Sequence, residues 1–213
     1  MTKPEYVFTR DFHDDNRDVL LNIFDVQLLT EIAASTSNII CGPNYHLRGV
    51  YDIVHVRNFS FVIRDLEAER VIGNVLQLLK PGGYLQWAEV DALSYRIEKT
   101  SPGCKDDALK ELMRLGRGAD DRTTPHWVPE IPYYYQQAKL EEVESDVKDA
   151  PPYMAVAKHE CNLIVPEMLA RTTQNSALSE RFSRLIPEAM EETHGGAYWA
   201  FTRLTVVGRK ASG

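Results

Sequence analysis

The chain has 213 residues, a formal net charge of −7, 44% hydrophobic and 26% charged residues. Those values are ordinary for a globular protein and fit one domain over residues 1–213, with 1–17 as a flexible or swapped N-terminal arm. The acidic balance argues against nucleic-acid or anionic-membrane partners. No apolar run approaches the roughly 20 residues that span a bilayer. Cys41, Cys104 and Cys161 are odd in number and widely spaced, which fits reduced thiols and no zinc site. The start, MTKPEYVFTRDFHDD, is acidic and has no apolar core. It does not read as a secretory signal, and a cytoplasmic location is expected.

Asp11, His13, Asp14 and Asp15 stand close together. They read as a solvated terminus or, less simply, as oxygen and imidazole ligands for a cation; no metal site is expected. Val19–Val26 is an apolar run containing Asp25, followed by a short helix over Leu28–Ala34 and a strand at Asn38–Cys41. Tyr51–Val56 carries Ile53, Val54 and Val56 and reads as a strand of a parallel sheet. Asp65 is placed to cap a helix whose apolar positions are Leu66, Val71, Val75, Leu78 and Leu79. Lys80-Pro81-Gly82-Gly83 ends that helix, because proline cannot continue it and glycine accepts the left-handed turn. Tyr84–Val90 is the next strand. A strand–helix–strand unit of this length implies a right-handed crossover between parallel strands.

Further on, Asp106–Leu115 reads as a helix and Gly116–Pro132 as a loop. Leu140–Val147 reads as a strand. Met154–Leu163 and Val165–Thr173 read as helical on either side of Pro166, and Ser176–Glu192 as a helix interrupted at Pro187. Ala197–Lys210 is a terminal strand pattern.

LKPGGYLQWAEVD, following YDIVHVR, resembles the later half of a class I S-adenosylmethionine-dependent methyltransferase. The wording is closest to fungal methyltransferases of secondary metabolism. The resemblance implies an α/β, Rossmann-like sheet ending in an antiparallel C-terminal hairpin. It also assigns Asp25 to the cofactor's ribose hydroxyls; a strand-end carboxylate capping the next helix reads as well there. No glycine precedes Gly42, so the first strand and GxGxG turn of the family have no counterpart before Val19. The sheet is therefore expected to be truncated at its N-terminus.

Ligands of open α/β sheets lie beyond the carboxyl ends of the strands. That rule selects His55, Arg57 and Asn58 after one strand, and Trp87, Glu89 and Asp91 on the next. His55 suits general acid/base work, since imidazole transfers protons in both directions near neutral pH; it equally suits a core histidine bonded to backbone. Arg57 suits a developing oxyanion, or a salt bridge to Asp52 or Asp91. Glu89 and Asp91 share a strand face and read as a coupled acid pair or as two solvated acids. Trp87 suits an apolar or aromatic substrate, or the core. His126, Trp127, Tyr134 and His159 form a second set of substrate-contact candidates, Tyr134 within the Tyr133–Tyr135 run.

With the glycine-rich turn missing, the first reading is a methyltransferase-like enzyme of natural-product biosynthesis that needs no cofactor. It would promote a cyclisation, pericyclic, isomerisation or dehydration step on an apolar or aromatic small molecule by positioning and hydrogen bonding. The alternative is an S-adenosylmethionine-dependent methyltransferase whose cofactor site a second chain completes. A non-catalytic interaction module is the third reading. An exposed sheet edge invites pairing, so a homodimer is expected.

Overall fold

The computed structural model describes residues 42–43, 45–60, 62–117, 121–149 and 154–213. Val19–Val26, Asp25, the Asp11–Asp15 cluster and the strand at Asn38–Cys41 lie outside the described residues, as does the place where the family's first strand and glycine-rich turn would stand. Four strands form one sheet in the order β1-β2-β4-β3: β1 is Tyr51–Arg57, β2 Leu79–Lys99, β3 Leu140–Asp149 and β4 Ala197–Lys210. Among the described residues five α-helices accompany them: α1 Ala68–Leu76, α2 Asp107–Gly116, α3 Ile131–Gln137, α4 Ala155–Thr172 and α5 Ser176–His194. The fold class is thus mixed α/β, as the sequence implies.

The chain divides into two compact units. One comprises residues 34–95, 117–149 and 201–213; the other includes 96–116 and 150–200.

In the first of these units, β1 and β2 are parallel, and Val56 faces Trp87 across the pair. The crossover between them is α1, which buries Ala68, Val71, Ile72 and Val75. The helix ends earlier than its apolar spacing suggests, because Leu79 already pairs with Tyr51 at the start of β2. The register then jumps to Ile53 opposite Tyr84, and the jump absorbs the Lys-Pro-Gly-Gly turn. Both glycines are needed there. Gly82 has φ +77°, and a Cβ on Gly83 would sit 2.9 Å from the Asp52 carbonyl oxygen.

The N-cap expectation for Asp65 is corrected. Arg64 holds the cap position, its N–H donating to Glu67 at 3.0 Å. The Asp65 carboxylate instead accepts the His126 backbone N–H at 2.8 Å. On the other flank, β3 and β4 are antiparallel from Leu140 opposite Lys210 to Asp149 opposite Thr202. Two long helices, not a hairpin turn, connect them.

In the other unit, α4 packs on α5 and α5 on α2. Helix α4 runs unbroken through Pro166, and α5 through Pro187. The Glu192 carboxylate caps α2, accepting the N–H groups of Ala108 and Leu109 at 2.9 Å each. Among the described residues neither Cys104 nor the buried Cys161 is in a disulfide. Among the described residues no helix is long and apolar enough to cross a membrane.

Candidate active site

The carboxyl end of β1 meets the middle of β2 around one buried carboxylate, Glu89, which is 2% exposed. Three N–H donors converge on it. Phe59 N–H reaches Oε1 at 2.6 Å, Ser60 N–H reaches Oε2 at 3.2 Å, and the indole N–H of Trp87 reaches Oε1 at 2.7 Å. Trp87 and Glu89 stand two apart on β2, on the same face of the strand, so the indole and the carboxylate meet. The chain reverses its local hand at Asn58, φ 54°, and that turn aims two successive backbone N–H groups at the carboxylate. Asn58 N–H itself extends the parallel ladder, donating to the Ala88 carbonyl at 3.1 Å.

Aromatic rings seal the cluster. Phe59 meets Trp87 edge-on at 6.1 Å between centroids, and Trp127 meets Trp87 edge-on at 5.6 Å. All three are 1% exposed or less. Burial lifts the Glu89 carboxyl from 4.5 to about 7, against the lowering effect of its hydrogen bonds. The coupled-acid expectation is therefore corrected: the cause is desolvation, and Asp91 takes no part. Both Glu89 oxygens accept protein N–H groups. No cluster of metal-ligating side chains occurs among the described residues.

His55 and Arg57 stand on either side of buried Val56 and share the opposite face of β1. His55 is exposed and Arg57 half-buried. Neither side chain has a partner among the described residues. The salt bridges considered for Arg57 do not form: Asp52 pairs with Lys80 at 2.7 Å, and Asp91 Oδ1 accepts Leu93 N–H at 3.0 Å. Asn58 follows directly. His55 and Arg57 therefore share one face of β1 at its carboxyl end, while Val56, Trp87 and Glu89 lie on the other face of the sheet.

The loop candidates divide. His126 is exposed, with Nδ1 3.1 Å from Asp65 Oδ2, and so pins the loop that carries buried Trp127. Tyr134 lies half-buried against Tyr133, ring centroids 5.9 Å apart. Burial raises its hydroxyl pKa, with Glu130, Asp65 and Glu69 adding to the effect. His159 belongs to the other unit. It is fully buried. Its Nδ1 accepts the Trp199 N–H at 3.0 Å, so Nε2 carries the proton and donates to Thr193 Oγ1 at 2.8 Å. Thr193 passes the bond on to the Ala189 carbonyl. Both ring nitrogens are used, which leaves no polar atom of His159 for a substrate. Sequence reasoning missed the Phe59 and Ser60 N–H groups and the Asp65–His126 clamp, because no residue pattern announces a backbone donor or a pairing across that separation.

Three kinds of comparison bear on this site. No family model matches the chain. Over 68 residues, 32% of the chain, it is 41% identical to the methyltransferase grgD of a Penicillium species. That match spans 23% of the relative's own length. Among solved structures, it is similar to a phosphoethanolamine N-methyltransferase 2 of Haemonchus contortus bound to S-adenosylhomocysteine, at 14% identity and a TM-score of 0.37, covering 78% of this chain and 35% of that one. It is also similar to the [4+2]-cyclase SpnF, at 15% identity and a TM-score of 0.40, covering 80% and 53%. A methyltransferase-like protein from Bacillus halodurans matches at 13% identity and a TM-score of 0.39, covering 77% and 66%. The chain thus resembles methyltransferases, a fungal one in sequence among them.

Proposed function

We propose that this chain acts as a methyltransferase-like enzyme on a small apolar or aromatic molecule of natural-product biosynthesis, transferring a methyl group from S-adenosylmethionine. The observation that carries this reading is the 41% identity to a fungal methyltransferase over 68 residues. Bound S-adenosylmethionine would supply the electrophilic methyl group. The chain's own residues bind and orient the acceptor. His55 takes the acceptor's proton at an imidazole nitrogen, and Arg57 holds the oxygen that becomes negative. Glu89 is a positioning residue: it fixes the turn at Asn58, and with it the end of β1. Asp25, assigned by resemblance to the ribose, lies outside the described residues.

A second reading keeps the same residues and dispenses with the cofactor. A ring closure, isomerisation or dehydration needs a donor at a polarised carbonyl and a base, and Arg57 and His55 supply that pair. What favours it is that both stand on one face of β1 with no side-chain partner among the described residues. Among the described residues β1 is an edge strand of the sheet, which supports self-association as part of the proposal.

The test is turnover by His55→Ala and Arg57→Ala with labelled S-adenosylmethionine and a panel of aromatic acceptors. Loss of transfer in both, with thermal stability retained, supports the assignment. Unchanged product profiles in both would remove it.

A further inference from the structure

A second feature lies away from the Glu89 cluster. A cleft of about 160 Å³ opens between the start of α3 and the β3–β4 face. Pro129 and Pro132 wall one side, Val147 and Leu204 the other, and Asp91 and Ser145 supply polar atoms. Glu89, Trp87 and Trp127 do not line it.

Its size is informative. The groove is half open, Val147 in its lining being 62% exposed, and its volume is that of one six-membered ring. Its polarity is informative too. Asp91 is the only charged residue in the lining. Its Oδ1 is engaged by the Leu93 N–H, two residues on in its own turn. Its Oδ2 has no partner among the described residues. Thr202 also borders the cleft, but its hydroxyl is spent on Asp149 Oδ1 at 3.0 Å. That bond keeps a second carboxylate beside the opening. Arg203, the cation nearest in sequence, alternates to the other face of β4, opposite Lys148 in the register. Among the described residues the lining therefore offers an apolar slot for a ring and the Asp91 carboxylate for a donor, and holds no basic group to receive an anion.

We infer that this cleft is a binding site for a monocyclic aromatic amine, the ring lying between the two prolines and Val147–Leu204 and the ammonium donating to Asp91 Oδ2. The inference does not rest on methyl transfer, because binding is read without S-adenosylmethionine.

The experiment is ligand-observed NMR titration of the whole chain with benzylamine, benzyl alcohol and benzoate. A charge-assisted hydrogen bond at a partly open site separates cation from anion by about tenfold or more in affinity. Benzylamine is expected to bind most tightly and benzoate least. Asp91→Asn should bring benzylamine down to the level of benzyl alcohol. Leu204→Trp should fill the slot and remove both; if it fails to fold, Val147→Trp, at an exposed strand position, replaces it. Equal binding of benzylamine and benzoate, or indifference to Asp91→Asn, would overturn the assignment. So would binding that survives a folded slot-filling variant.

Discussion

Replacing Glu89 by glutamine isolates the electrostatics of the candidate site. The folded carboxyl sits at about 7 against 4.5 for the free group. At about 1.4 kcal/mol per tenfold change, that difference amounts to about 3 kcal/mol. Because the folded value is the higher one, the folded state holds the proton more tightly. The contribution to stability is complete below about pH 4.5 and is lost as pH rises through 7. Glutamine keeps the shape and does not titrate. Its amide nitrogen cannot accept, so at least one of the Phe59, Ser60 and Trp87 N–H groups is left short, at a cost of about 1–3 kcal/mol independent of pH. The measurable quantity is the stability of the wild type minus that of Glu89→Gln, from urea unfolding followed by tryptophan fluorescence between pH 4.5 and 8. Titration of every other group cancels in that difference. It should fall by about 3 kcal/mol across the range. A flat difference would refute the claim that Glu89 is held dry.

His159 gives the opposite slope. Burial lowers its pKa from 6.5 to about 4, so its contribution is whole above pH 6.5 and is lost, by about 3 kcal/mol, as pH falls through 4; His159→Gln should remove that acid-side loss from an unfolding series. Gly83→Ala pushes a methyl group to within 2.9 Å of the Asp52 carbonyl oxygen and should lower stability by about 1–3 kcal/mol, read by thermal melting, while Lys80→Ala should cost under about 1 kcal/mol, since its ion pair with Asp52 is exposed. Trp127→Ala removes a buried ring that meets Trp87 edge-on and should cost about 3–5 kcal/mol in chemical denaturation. Ile53→Lys on the β1 edge should shift light-scattering mass from dimer to monomer; a monomeric wild type would end the self-association proposal.

How much was legible in the sequence depends on whether the information was local. The parallel unit was readable because YDIVHVR, the α1 apolar stripe and the Lys-Pro-Gly-Gly turn each impose their own geometry. Ala197–Lys210 alternates clearly enough to give β4 end to end. Helix α1 was overextended because Leu78 and Leu79 keep helical spacing while tertiary pairing with Tyr51 claims Leu79 for the sheet. The loop reading of Gly116–Pro132 took in the first two residues of α3, Ile131 and Pro132, because prolines crowd that start, although proline is tolerated in a first turn. Within the site, His55, Arg57, Asn58, Trp87 and Glu89 were selected by the strand-end rule alone. The roles of Glu89 and His159 were not readable, since both follow from burial and from backbone donors distant in sequence.

Calorimetric titration of the 213-residue chain with S-adenosylmethionine and S-adenosylhomocysteine tests the central claim most directly. The account predicts binding of both in the micromolar range. No heat of binding at millimolar ligand would contradict methyl transfer by this chain and leave His55 and Arg57 to cofactor-free chemistry.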